Sequence, residues 1–276
     1  NTWCSEGNLE YPQPITMTWD NPYDISSMRV MWWADNDKTG DSQDGVRFPT
    51  SCKAYYYNHA TNDWQEITSM QDETGAAISS VGVKGSGTQG NNRTWNSVLF
   101  TESIKTTKLK LVIDRPASAA KAGIGIGEWE VYGKEITNEF VGAQIEGKSE
   151  LLTTQTADYY ATTLPSELKG TYTYQWSVPD DSASYIRING DATGSTAKVE
   201  ALQKGTAKLN LTITAENGVV RKDTMNIDVT EITSIDEYVT STTQGRLPIL
   251  PKTVVANGYV ITEFDGDIPY NIHYML

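Results

Sequence analysis

The densest group of chemistry-bearing side chains is Gly85-Ser86-Gly87-Thr88-Gln89-Gly90-Asn91-Asn92-Arg93-Thr94-Trp95-Asn96. There an amide, a guanidinium and an indole fall within five residues, 91–95. A flat indole covers the apolar C–H face of a pyranose or furanose ring, and Arg, Asp and Asn at its edge satisfy the hydroxyls. Asn92, Arg93 and Trp95 are therefore candidates for contacting a carbohydrate. The competing reading is a long surface hairpin whose Trp95 folds back as a lid on the core.

Three other stretches carry similar groups. Asn1 to Asn8 holds Trp3. Ala34 to Phe48 is rich in Asp and Gly and holds Asp35, Asn36 and Arg47. It follows Trp32-Trp33, of which alternation sends one, either Trp33 or Trp32, into the core and leaves the other beside Asp35 and Asn36; Trp33 is the candidate contact. Arg115-Pro116 to Gly125 is the fourth. Loops clustered at one end of a rigid β-scaffold are where binding groups stay accessible to water.

Other chemistry is sparse. Asp35-Asn36-Asp37-Lys38-Thr39-Gly40 imitates the first half of a calcium loop, but Val46 stands where a bidentate Glu is needed. Of the two histidines, His59 sits in the polar run Asn58-His59-Ala60-Thr61-Asn62 and is expected at a solvated surface, while His273 lies near the end of the sequence. Gly123-Ile124-Gly125-Ile126-Gly127 has the wrong spacing for a dinucleotide fingerprint and no helix after it, so close backbone packing is its expected use. No carboxylate pair is marked out by its surroundings as a glycosidase acid and base. No catalytic residue is therefore assigned.

Lys and Arg total 22 against 35 Asp and Glu, a net charge of −13. That charge repels phosphate backbones and anionic membranes but leaves neutral sugars unpenalised. It also serves solubility alone. No apolar run approaches the roughly 20 residues of a membrane helix, so no membrane insertion is expected. Asn1-Thr2-Trp3-Cys4 lacks the basic start and apolar stretch of a signal peptide, so any export signal is expected upstream. Two cysteines, Cys4 and Cys52, cannot form a zinc site unaided. A disulfide, which would suit an exported protein, and two separate buried thiols both remain open.

The elements that must position these groups read as strands. Pro14–Trp19, Ser27–Trp33, Ser51–Tyr57, Asp63–Ile67, Lys108–Ile113 and Gly127–Tyr132 each alternate apolar and polar residues with a period near two. After Gly133 the composition shifts toward Thr and loses most Trp. Strands are expected at Thr171–Val178, Ala197–Ala201, Ala207–Ile213 and Asp223–Val229, the last two joined by an Asn217-Gly218 turn. That length, with one central Trp176, suits an immunoglobulin-like sandwich. A third pattern, with Leu247-Pro248, Pro251 to Val255 and Gly258 to Ile261, is too short for a sandwich of its own and is expected to be part of a further domain in a longer chain. The fold class is all-β, with divisions expected at 1–135, 136–231 and 232–276.

The order of Pro14–Trp19, Arg29–Asp35, Val46–Pro49 leading into Ser51–Lys53, Lys108–Ile113 and Gly127–Gly133 resembles the discoidin fold, or factor V/VIII type C domain. Within it the match is to the carbohydrate-binding modules of bacterial glycoside hydrolases. Tyr174-x-Trp176, as a central strand, and Gly205-Thr206-Ala207-Lys208-Leu209-Asn210-Leu211-Thr212 resemble bacterial Ig-like repeats, and the last 45 residues, 232–276, look like the start of another.

The resemblance implies a jelly-roll β-sandwich followed by Ig-like sandwiches. It implies a non-catalytic, extracellular, bacterial segment that binds a plant or host glycan and is covalently linked to further domains. No cofactor is required, but the fold family carries a structural calcium, toward which Glu128 would contribute. The usual first strand and turn, which help build that site, are missing from the match. The alternative function is a structural or adhesive stalk that grips a protein partner or serves only as spacer.

Overall fold

A computed structural model describes residues 10–34, 46–85, 94–114 and 123–231 in full, and the backbone of 3–4, 254–256 and 259–261. The described residues form strands and turns without a helix. They divide into two compact units. One comprises Asn1–Gln144, Thr162–Tyr172 and Thr212–Asp223; the other comprises Ile145–Ala161, Thr173–Leu211 and Thr224–Leu276.

The first unit is built on a nine-stranded sheet: β1 (Trp3–Cys4), β2 (Gln13–Trp33), β3 (Val46–Arg47), β4 (Cys52–Asn58), β5 (Asp63–Glu66), β6 (Met70–Gln71), β7 (Ala77–Ile78), β8 (Trp95–Ile113) and β9 (Gly123–Glu135). The sequence pattern suggests two separate strands before Ala34, but they are the two halves of β2. Its first half, Gln13–Thr18, pairs with Ile113–Lys108, and its second, from Tyr23, pairs with Thr106–Trp95. Between the halves four residues of β2, Trp19 to Asn21 with Pro22, oppose Thr107 alone, and the strand bulges. Proline is tolerated there because a bulge needs no ladder N–H.

The bends let β2 and β8 serve two layers. One layer holds β9, the second half of β2, the first half of β8 and β6; the other holds the first half of β2, the second half of β8, β4 and β5. Alternating residues from both layers merge in one core: Met28, Val30, Trp32, Val98 and Ile126 from the first, Cys52, Ala54, Leu109, Leu111 and Ile113 from the second. Each fully buried aliphatic side chain stabilises such a core by about 1.5–3 kcal/mol. Trp32 is wholly buried and its indole N–H donates to the Gly82 carbonyl at 2.7 Å.

The remaining strands are β10 (Gly142–Glu146), β11 (Glu150–Leu152), β12 (Thr156–Leu164), β13 (Tyr172–Ser177), β14 (Ile186–Ile188), β15 (Thr196–Ala201), β16 (Gly205–Ala215) and β17 (Val220–Thr230). They form two four-stranded sheets, β10-β12-β15-β14 and β11-β17-β16-β13. In the second unit Tyr159, Trp176, Val199, Leu209, Leu211 and Ile227 are buried. Trp176 Nε1–H donates to the Gly194 carbonyl at 2.9 Å and the Tyr159 hydroxyl to the Lys148 carbonyl at 2.8 Å, so both large rings enter the core with their polar ends satisfied. Trp176 is thus the core residue expected, but β13 stands at the end of its sheet rather than in its centre.

The Asn217-Gly218 turn joins β16 to β17 as its sequence requires: Gly218 has φ 83°, and the Asn217 side chain accepts from the Val219 N–H at 3.1 Å. Backbone pairing of β18 (Val254–Ala256) with β19 (Tyr259–Ile261) completes the described strands; the rest of 232–276 lies outside the described residues.

Candidate functional site

The backbone register gathers the points from which the loops leave. Trp33, at the end of β2, pairs with Gly125 of β9, and Cys4 of β1 also pairs with Gly125. Val46 pairs with Gly123, Trp3 with Ile126, and Trp95, at the start of β8, with Met31. The loops holding the expected contact residues therefore spring from one end of the β1-β9-β2-β8 layer.

On the solvent face of this layer three cross-strand rows lie side by side. Ser27 pairs with Leu99 and Tyr132, Arg29 with Ser97 and Glu130, and Met31 with Trp95 and Glu128. These residues face outward because their neighbours Met28, Val30 and Trp32 are buried, and successive strand side chains alternate. Arg29 leans diagonally across the rows. Its guanidinium carbon stands 4.0 Å from the Trp95 ring centroid and 5.6 Å from that of Tyr132, and its Nε–H donates to Glu130 Oε2 at 2.6 Å.

Tyr132 donates its hydroxyl to the same Glu130 oxygen. The Arg29 hydrogen bond, then that of Tyr132, hold the Glu130 carboxyl below its usual range. The same bond raises Arg29 above its ordinary value, so the pair stays charged. Tyr132 is 44% exposed and Leu99 42%, while Trp95 is half-buried. The result is an aromatic and aliphatic shelf, carrying one fixed guanidinium and the carboxylates of Glu128 and Glu130.

The sequence candidates distribute as follows. Trp95 lies on this shelf and is not a lid on the core. Trp33 is half-buried at the loop end of β2, whereas Trp32 is the core member of the pair. Gly125 makes room for it: a Cβ there would come within 2.7 Å of the Trp33 ring and 2.8 Å of Val46 Cγ1. The run Gly123–Gly127 thus serves close packing as expected.

Arg47 is half-buried, and its Nη1 donates to the Val46 carbonyl at 3.2 Å. Asp35, Asn36, Asn92 and Arg93 lie outside the described residues, as do the side chains of Trp3 and Cys4. Cys52 is buried as a free thiol, and burial pushes its pKa up. Glu128 is exposed beside Glu130. Among the described residues no three His, Cys, Asp or Glu are grouped to hold a metal, and Glu130 is already engaged by Arg29.

Arg29, Glu130 and Tyr132 escape motif reading because they lie inside strands, not loops. The available signal is the period of two in Ser27-x-Arg29-x-Met31-x-Trp33 and Glu128-x-Glu130-x-Tyr132.

His59 corrects an expectation. It is only 5% exposed, because its ring packs against Gly142, where a Cβ would approach Nδ1 within 2.7 Å. Its Nε2 shares a 3.0 Å hydrogen bond with the Thr107 hydroxyl. Burial, then the charges of Lys108 and Arg221, lower its pKa to about 4. A cavity of about 390 Å³ opens beside it, with Glu66, Glu102 and Glu139 among its walls and the Lys105–Glu139 ion pair at 2.5 Å.

No protein-family model matches the chain. Among solved structures, discoidin II of Dictyostelium discoideum aligns with a TM-score of 0.31 at 11% identity, over 82% of this chain and 80% of that one. CpGH89CBM32-6 produced by Clostridium perfringens gives 0.29 at 13% identity, over 48% of this chain and 75% of that one. The PKD domain from the KIAA 1837 protein gives 0.26 at 23% identity, over 33% of this chain and 88% of that one. These are distant likenesses and establish neither family nor function for this chain.

Proposed function

We propose that the leading sandwich binds a neutral carbohydrate at the loop end of its β1-β9-β2-β8 layer, with Trp95 as the central stacking residue. The observation that carries the reading is the half-exposed Trp95 indole, fixed by the Arg29 guanidinium 4.0 Å from its ring centre, with the open ring of Tyr132 5.6 Å from the same guanidinium. A sugar ring laid on these aromatics buries its C–H face. Arg29 and the Ser97 hydroxyl can donate to its oxygens, and Glu128 and Glu130 accept from its hydroxyls. Two carboxylates on the shelf, in a chain of net charge −13, disfavour an anionic sugar there.

The wider reading is a non-catalytic binding and spacer region of an exported bacterial glycan-degrading enzyme, with residues 136–231 and 232–276 as Ig-like spacers. His59 supports a non-catalytic role: it is neutral, buried and bonded to a threonine rather than to a carboxylate.

An array of plant and host glycans probed with the intact chain, followed by calorimetry on the positives, tests the proposal. The expected result is binding to a neutral oligosaccharide that is lost in Trp95→Ala. A folded chain that binds no sugar overturns it, and the region is then a stalk or spacer.

A further inference from the structure

The second layer of the leading sandwich carries an aromatic face of its own. In β4 and β5, Tyr55 pairs with Glu66 and Tyr57 with Trp64, and Tyr55 also pairs with Lys110 of β8. The core alternates against them through Cys52, Ala54, Leu109 and Leu111, which places Tyr55, Tyr57, Trp64, Lys108 and Lys110 on the outer face, each half-buried, with the Tyr57 ring also edge-on to His59 at 5.2 Å. The Tyr57 and Trp64 rings meet edge to face at 5.6 Å. The Lys110 ammonium lies 4.1 Å from the Trp64 ring centroid and 5.2 Å from that of Tyr55, and Lys108 lies 4.8 Å from that of Tyr57.

Four cations elsewhere on the described residues are tied to carboxylates. Arg29, Lys53, Lys105 and Arg187 each hold a carboxylate within 2.5–3.1 Å. Lys108 and Lys110 have no ion pair with a carboxylate among the described residues, although the chain has 35 acids. Asp63 acts on Lys110 and Asp223 on Tyr57 only from a distance. Residues two apart on a strand share a face roughly 7 Å apart, so the ammonium groups form a pair set over three rings. An ammonium resting on a ring keeps its outward hydrogens for an anion.

We propose that Tyr55, Tyr57, Trp64, Lys108 and Lys110 form a second binding surface, which takes a carboxylated glycan such as a polyuronate. The rings stack on the sugar C–H faces and the two ammonium groups meet successive carboxylates. The acidity of the whole chain repels polyanions in general, so such binding needs a local site of this kind. The inference does not rest on the Trp95 shelf, which belongs to the other layer.

Affinity electrophoresis of the intact chain in gels containing polygalacturonate, dextran or dextran sulfate tests it. Retardation by polygalacturonate alone is expected. Lys108→Gln combined with Lys110→Gln should weaken it about tenfold, the loss of two charge contacts. Trp64→Ala should weaken it as well, while Trp95→Ala leaves it intact, and circular dichroism checks that each variant is folded. No retardation, equal retardation by dextran or dextran sulfate, an unaffected lysine double variant, or loss in Trp95→Ala overturns the proposal. The last outcome would assign the binding to the shelf instead, keeping that site but not the neutrality of its sugar.

Discussion

The guanidinium of Arg29 lies between the Trp95 ring, 4.0 Å from its centroid, and the carboxylate of Glu130, 2.6 Å from its Nε. Three strands meet in that contact, since Arg29 belongs to β2, Trp95 to β8 and Glu130 to β9. A cation held by a carboxylate on one side keeps an indole oriented on the other, and an oriented indole loses less freedom when a ligand stacks on it.

Breaking this arrangement should affect ligand more than fold. Arg29→Ala and Glu130→Gln are expected to weaken glycan binding by about tenfold, comparable to a lost cation–π contact, while the melting temperature barely moves. Calorimetry and thermal unfolding on the same samples check this. Because Glu130 titrates below its ordinary value, the pair persists as pH falls through the normal carboxylate range and separates only when pH passes the depressed value. Affinity should therefore hold to pH 5.

His59 gives a pH dependence of the same sign in a higher window. Its folded pKa is about 4, against 6.5 for a free histidine. Above 6.5 both folded and unfolded chains are neutral there. As pH falls from 6.5 to 4 the unfolded chain takes up the proton first, and stability drops, by up to about 3 kcal/mol. His59→Gln, which keeps a hydrogen-bonding group toward Thr107, should lose this component. The difference between the two melting curves across pH 7 to 4 measures it.

At Gly125 the space is already taken by Trp33 and Val46. Gly125→Ala should cost about 1–3 kcal/mol of overpacking. It should also displace Trp33 at the loop end, lowering glycan affinity along with denaturant stability. In the second unit, Trp176→Ala should cost about 3–5 kcal/mol by leaving a cavity and an unpaired Gly194 carbonyl, without altering glycan binding.

Period-two alternation made most of the long strands legible, and it sent one of Trp32 and Trp33 into the core. It did not show that Pro14–Trp19 and Ser27–Trp33 are one strand, because Asn21-Pro22 reads locally as a turn while the tertiary pairing with β8 carries the chain through it. Short strands such as β6 and β7 have too few residues to display a period. The shelf was half legible. Trp95 stands out by composition, but the guanidinium over its ring is that of Arg29, on another strand, and which strand faces which is set by long-range register, invisible in any local window. His59 was misjudged for the same reason: polar neighbours in sequence do not reveal that Gly142 closes over the ring.

The central claim, that Trp95 is the surface on which a sugar stacks, is most directly tested by following the indole N–H signals of the ¹⁵N-labelled chain during titration with a glycan identified on the array. The account predicts that the Trp95 signal shifts and saturates with ligand while those of buried Trp32 and Trp176 stay fixed. A titration that saturates with the Trp95 signal unmoved would contradict it.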